Sequence, residues 1–242
     1  MSCPALRDNS GADTVASSTV ARVTSRTHDV LLLDFGGVCL LNPVELHSRA
    51  ESVLGLAAGT FDWMGPVDPE TDPLWQRMVA GDGELSERDY WAERAAEVGE
   101  AAGRTLTTRD YMTLLYQPPV PDMIRPEATA VTTRALEAGL GVSVLTNDMR
   151  AFHGREWEFD VEFLQLVDHI VDCSDTDILK PDPRAFRRAI DLIGAEPARV
   201  LFVDDQPLNV RGASDFGLDT MWFDIAHAAD SWHAVADRLG LP

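Results

Sequence analysis

Four separated segments of this 242-residue chain each carry polar side chains that could do chemistry: Asp34, Thr146, Lys180 and the adjacent pair Asp204-Asp205. Together they offer carboxylates, a hydroxyl and an ammonium. Lys180 is the sole lysine, although Lys plus Arg total 20. A chain that uses arginine at every other basic position keeps lysine where a planar fork would not serve. An ammonium is a compact point charge on a thin stem, the shape that a cramped pocket holding phosphate and carboxylates demands. The bland alternative is one surface lysine left by chance. Against it stands the stiff run Lys180-Pro181-Asp182-Pro183.

Apolar runs position these groups. Val30-Leu31-Leu32-Leu33-Asp34-Phe35 reads as a buried parallel strand, followed by Gly36-Gly37, whose bare backbone can approach a ligand closely. Val142 to Thr146 and Val200 to Asp205 read the same way. His169-Ile170-Val171 is a weaker strand, and Thr220-Met221-Trp222-Phe223 a fifth. Helical patterns alternate with them. Asp182 caps a helix with Pro183 at its first position, burying Phe186, Ile190 and Ile193 and stopping at Gly194. Another runs from about Leu208 to near Gly217, and Trp232, Val235 and Leu239 share a third helical face. The pattern predicts an α/β fold with a Rossmann-like, doubly wound parallel sheet. In such sheets ligands bind at the C-terminal strand ends, where Asp34, Thr146 and Asp204-Asp205 all fall.

The stretch 41–119 has a different texture and predicts a helical insertion. Asn42-Pro43-Val44-Glu45 resembles a capping box for a helix through Leu54. Ser86-Glu87-Arg88-Asp89 opens another after the turn Gly81-Asp82-Gly83, and Thr108-Arg109-Asp110 opens a third; Pro118, Pro119 and Pro121 close the segment. Residues 1–28 read as a flexible polar tail. The catalytic core is then 29–40 with 120–242.

Apolar residues at 45% and charged residues at 25% suit a globular protein, but a formal charge of −20 is unusual. It opposes nucleic acid and anionic membrane surfaces as partners, while a small phosphate ester can still bind if a metal ion and a lysine reverse the field locally. Cys3, Cys39 and Cys173 form no disulfide or zinc pattern, and neither a membrane span nor a secretory signal is visible, so a cytoplasmic location is expected. The sequence leaves the oligomeric state open.

Taken together, these segments resemble the haloacid dehalogenase superfamily of aspartate-nucleophile hydrolases, over roughly residues 30 to 223. Asp34-Phe35-Gly36-Gly37-Val38 is similar to its first motif and Leu145-Thr146-Asn147 to its second. Lys180-Pro181-Asp182-Pro183 is similar to the third, and Val203-Asp204-Asp205 with Asn209 to the fourth. The helical insertion is placed like the cap of one subclass. The resemblance implies that Asp34 attacks phosphorus to form an aspartyl-phosphate. It implies Mg²⁺ held by the Asp34 side chain, the Gly36 carbonyl and Asp205, with Asp204 supporting the site from behind or through water. Thr146 and the Asn147 backbone N–H would bind phosphate oxygens, and Lys180 would neutralise phosphate and nucleophile.

Gly36 departs from the pattern, since the family usually has a second aspartate there as acid and base. Losing such a group costs roughly 10²- to 10⁴-fold in rate. Three readings are open: the cap supplies another acid, the leaving group needs little help, or turnover is lost. Glycine at this position also resembles superfamily phosphatases acting on sugar 1-phosphates. Asp62 and Asp68, in the loop from Phe61 to Asp72, are the candidate replacement acids. A metal-independent 2-haloacid dehalogenase is the alternative enzyme, but the adjacent acidic pair and the lack of a basic residue between Arg49 and Arg77 oppose it. A non-catalytic phosphate- or partner-binding relic is the remaining alternative. Trp63, Met64, Trp75, Met78 and Trp91 read as packing within the insertion before substrate contact. His47, His153 and His169 read as isolated, and Glu93, Glu97 and Glu100 as a solvated helical face.

Overall fold

The computed structural model describes residues 27–80, 85–117 and 120–242. The expected tail up to residue 26, the turn Gly81-Asp82-Gly83 and the pair Pro118-Pro119 lie outside the described residues. Among the described residues, five parallel strands form one sheet in the order β3-β2-β1-β4-β5. They are β1 (Val30–Leu33), β2 (Gly141–Thr146), β3 (His169–Asp172), β4 (Val200–Asp204) and β5 (Asp219–Trp222). Helices α1 (His47–Leu54), α2 (Pro73–Ala80), α3 (Glu87–Ala101) and α4 (Thr108–Leu115) lie between β1 and β2, followed by α5 (Pro126–Glu137). Then come α6 (Met149–His153), α7 (Pro183–Ile193), α8 (Pro207–Phe216) and α9 (Ala228–Leu239). The winding direction reverses between β1 and β4, which makes the fold α/β with a doubly wound sheet.

Each central strand is apolar on both faces because both faces are covered. Leu31, Leu33, Val142, Val144, Leu201 and Val203 join one cluster with α5, α9 and the helical insertion. Val30, Leu32, Leu145, Val171, Val200 and Phe202 join the other with Ala185, Phe186, Ala189 and Ile190 of α7 and Ala213 of α8. The first cluster runs without interruption from β1 to Trp75, Tyr90 and Trp91, so the insertion shares a core with the sheet.

Local signals set the helix ends. Asp182 accepts from the Arg184 N–H at 2.9 Å, Pro183 opens α7, and Gly194 ends it at φ 72°. The capping box Asn42/Glu45 forms, but it opens a 3₁₀ turn, Pro43–Leu46, before α1 begins. Ser86 and Asp89 cap α3 reciprocally, and α4 is capped one residue earlier than its sequence suggested, by Thr107 with Asp110. His28, grouped with the tail in sequence, is buried, with Nε2 2.7 Å from Asp219.

Candidate active site

The strand ends converge as their positions in the sheet require. Asp34 continues from β1, where its N–H donates to the Val203 carbonyl at 2.9 Å; Thr146 ends β2, and Asp204 ends β4. Lys180 arrives from the loop before α7. Its Nζ lies 2.6 Å from Asp34 Oδ1 and 2.7 Å from Asp204 Oδ2, so one ammonium bridges the two strands. The Lys180 side chain is 1% exposed. Asn147 holds that loop by its amide, accepting from the Lys180 N–H at 2.8 Å and donating to the Lys180 carbonyl at 3.2 Å.

Asp204 is wholly enclosed. Asn209 Nδ2 donates to both of its oxygens at 3.0 and 3.2 Å, and the Gln206 N–H donates to Oδ1 at 2.9 Å. Asn209 belongs to α8, and so does Gly212, where a Cβ would sit 2.7 Å from Pro181 Cβ and 2.8 Å from the Pro181 carbonyl oxygen. A side chain there would displace the loop carrying Lys180. Asp205 differs from its neighbour. Its carboxylate has no cationic partner among the described residues, although the residue is 6% exposed. Gly37 packs directly against it: at φ 80°, a Cβ would lie 2.8 Å from Ile225 Cδ1 and 3.1 Å from Asp205 Oδ2.

These placements shift the acidities. Burial, partly offset by Lys180, pushes the Asp34 carboxyl up to about 7. Burial, then Asp204 and Asp34, pushes Asp205 well above the carboxylate range. Burial alone would depress Lys180, but Asp204 and Asp34 overcome it and hold the ammonium above its ordinary range. Oxygens of Asp34, Asp204 and Asp205 lie within 4.8 Å of one another, close enough to share a metal ion. The Gly36 carbonyl, on the same cavity wall, accepts no hydrogen bond within the described residues.

A model of haloacid dehalogenase-like hydrolases matches residues 29–217, a span that contains Asp34, Thr146, Asn147, Lys180, Asp204, Asp205 and Asn209. The chain belongs to the haloacid dehalogenase-like hydrolases. Its relatives in this family differ in chemistry. Phosphoserine phosphatase from Thermus thermophilus is 29% identical over 204 residues, covering 80% of each chain. (S)-2-haloacid dehalogenase 4A from Burkholderia cepacia is 29% identical over 99 residues, 40% of this chain and 41% of its own. Mouse acyl-CoA dehydrogenase family member 10 is 24% identical over 84% of this chain, which spans only 18% of that longer protein. The fold matches that of a magnesium-bound HAD hydrolase from Bacillus subtilis, with a TM-score of 0.63 at 16% identity over 82% of this chain and 87% of that one.

In this hydrolase the cavity over Asp34 is lined by Gly36, Thr146, Asn147, Lys180, Asp205 and Asn209 from the sheet side. Trp75, Trp91, Met112 and Tyr116 of the insertion form an apolar wall opposite. Two of the insertion's large residues, Trp75 and Trp91, thus reach the cavity while packing. Trp63, Met64 and Met78 do not line it. Asp62 and Asp68, the replacement acids suggested by sequence, are exposed and also do not line it. Glu87, at the first position of α3, does. Sequence reasoning passed over it because an acidic residue in a helix's first turn has an ordinary explanation in the helix dipole. His153 lines the cavity too, but burial drops its pKa to about 3, so its ring is neutral near neutral pH.

Proposed function

We propose that this hydrolase cleaves a small phosphate monoester, such as a sugar phosphate, through an aspartyl-phosphate on Asp34, with Mg²⁺ as cofactor. The observation that carries the reading is a charge imbalance. Three buried carboxylates meet around one ammonium, and Lys180 contacts only two of them, leaving Asp205 without an ion-pair partner among the described residues. A buried carboxylate left uncompensated costs several kcal/mol, so Asp205 takes a proton or a cation. The available donors are all hard oxygens: carboxylates and the free Gly36 carbonyl. They suit Mg²⁺, which pairs one or two carboxylates with substrate phosphate and water. Asp34, Asp205 and Gly36 would hold the ion, with Asp204 behind them, and the bound ion supplies neutralisation of phosphate charge.

The chain's own residues do the rest. Asp34 is the nucleophile, and Lys180 orients it by binding Oδ1 while offsetting phosphate charge. The Thr146 hydroxyl and the Asn147 backbone N–H face the phosphate oxygens. Segment 41–119 serves as a cap over the core formed by 29–40 and 120–242. Its aromatic wall excludes water and contacts the leaving group. The charge of −20 favours a small ligand over nucleic acid or an anionic membrane. No helix among the described residues is long and apolar enough to cross a membrane.

The alternative, a metal-independent dehalogenase, has a family relative in its favour. Against it, no arginine lines the cavity among the described residues, and Asp205 would stay uncompensated. The test is phosphate release from sugar, acyl and aryl phosphates with and without Mg²⁺, with chloride release from 2-chloropropionate run in parallel. Magnesium-dependent phosphate release is expected, falling on the order of 10⁴-fold or more in Asp34→Asn. Chloride release without metal would establish the dehalogenase instead. No turnover of any substrate would leave the phosphate-binding relic.

A further inference from the structure

Gly36 has no side chain to protonate a leaving group, yet the space beside it is open. A Cβ built there meets no atom within 4 Å, and its backbone is not in the left-handed region. Packing therefore does not require glycine at this point of the cavity wall. Glu87, the first residue of α3, lines the same cavity. Its placement is enforced from both sides. Ser86 and Asp89 cap the helix, with the Asp89 N–H donating to Ser86 Oγ at 3.2 Å and the Ser86 N–H to Asp89 Oδ2 at 3.0 Å. The next residue, Arg88, reaches over to the sheet, where Nε donates to Asp148 Oδ1 at 2.8 Å and Nη2 lies 2.6 Å from the same oxygen. Asp148 follows the loop residues Thr146 and Asn147. Arg88 thus ties the start of α3 to the segment that follows β2, and Glu87 lines the cavity with Gln206 as its hydrogen-bonding neighbour.

We propose that Glu87 is the general acid and base of this hydrolase, supplying from the insertion the carboxyl that Gly36 cannot supply from the sheet. The proposal rests on the phosphatase reading. In the first step an Asp34 oxygen bonds to phosphorus, and the ester P–O bond breaks with its electron pair going to the leaving oxygen. The Glu87 carboxyl donates its proton to that oxygen, releasing an alcohol and leaving Glu87 ionised. In the second step a water oxygen bonds to phosphorus, and the Asp34–phosphorus bond breaks, returning the pair to the Asp34 carboxylate. Glu87 takes a proton from that water, so inorganic phosphate leaves and the carboxyl is restored. Burial pushes the Glu87 carboxyl above the ordinary carboxylate range against the opposing effect of Gln206, with Asp148 adding to the rise, which suits a group that must carry a proton between steps.

Glu87→Gln keeps size and helix position and removes the transferable proton. With an alkyl phosphate, kcat falls roughly 10²- to 10³-fold. With p-nitrophenyl phosphate, whose leaving oxygen needs no proton, the first step survives. A burst of nitrophenolate equal to the enzyme concentration then precedes slow turnover, and phosphorylated protein accumulates in the intact mass. Gly36→Asp raises alkyl-phosphate turnover more in the Glu87→Gln background than in the wild type, because the two carboxyls substitute for one another. Wild-type rates in Glu87→Gln overturn the proposal. So does an equal loss on both substrates without accumulated phosphoenzyme, which would mean that Glu87 acts in binding or folding. Equal effects of Gly36→Asp in both backgrounds overturn it too. If the wild type hydrolyses phosphate esters but Asp34→Asn is equally active, the covalent reading itself has failed, and Glu87 as its acid fails with it.

Discussion

Two of the buried charge clusters among the described residues are solved differently. In the insertion, Asp72 is fully enclosed, and both of its oxygens are used: the Trp75 N–H donates to Oδ1 at 2.8 Å, Arg94 Nη2 joins the same oxygen, and Tyr90 OH donates to Oδ2 at 2.7 Å. Arg94 also reaches Glu97 and lies 4.5 Å from the centre of the Trp63 ring. Charge and hydrogen bonds nearly close within the cluster. At the sheet edge, one ammonium serves Asp34 and Asp204, while Asp205 lacks any cation among the described residues. The closed cluster holds helices together. The open one leaves a buried carboxylate to take a proton or a cation.

Exchanging the two cations is the sharpest way to break this comparison. Lys180→Arg should inactivate nearly as well as Lys180→Ala, by about 10³-fold in kcat/KM, because Nζ sits within 2.7 Å of two carboxylates on a side chain with no free surface. Steady-state kinetics of both variants check it, and an active arginine variant would mean the pocket is roomier than its contacts imply. Next, Arg94→Met should destabilise the fold by about 3–5 kcal/mol, since it leaves Asp72 buried without a counter-charge. Arg94→Lys should cost only about 1–3 kcal/mol, losing the fork but keeping the charge. Urea midpoints of the two variants separate these values. Adding Asp72→Asn to Arg94→Met should recover part of the loss.

The smallest effect concerns His47, which packs 4.2 Å from the Trp63 ring, with neither ring nitrogen hydrogen-bonded among the described residues. Burial lowers its pKa from 6.5 to about 4, with Glu51 only partly opposing. The unfolded chain therefore binds a proton below about pH 6.5 that the folded chain refuses until about pH 4, and stability falls as pH drops through that window. His47→Phe should remove this part of the acid limb, on the order of 1 kcal/mol at about pH 5, discounted because the ring retains some solvent contact. Melting temperatures at about pH 7.5 and pH 5 measure the difference in slope.

The sheet was legible because fully covered strands spell continuous apolar runs, and each motif residue sits where such a run stops. Asp34, Thr146 and Asp204 needed nothing more. Helix ends at Pro183, Gly194, Ser86 and Gly217 were equally plain, since each depends on one residue's backbone chemistry. What escaped notice has weak contrast. Helix α5 buries Ala128, Val131, Thr132 and Ala135, a set in which only Val131 stands out from its exposed threonines. Helix α2 is two turns long and buries only Trp75 and Met78. Glu87 was invisible for another reason. It lines a cavity built largely from residues distant in sequence, and α3 meets that region through Arg88–Asp148, across 60 residues of chain, a pairing that no local pattern reports. Asp62 and Asp68 erred in the opposite way, being near in sequence to an aromatic-rich loop but turned to solvent.

Helix α8 has one further consequence. It grips Asp204 through Asn209 and abuts Pro181 through Gly212, so it touches both ends of the Lys180–Asp204 contact. Asp204 itself belongs to β4 and the Lys180 backbone is held by Asn147 after β2, so α8 braces an ion pair that joins two other parts of the fold. A side chain added at Gly212, or the loss of the Asn209 amide, would therefore reach the Lys180–Asp204 contact from a helix that holds neither residue.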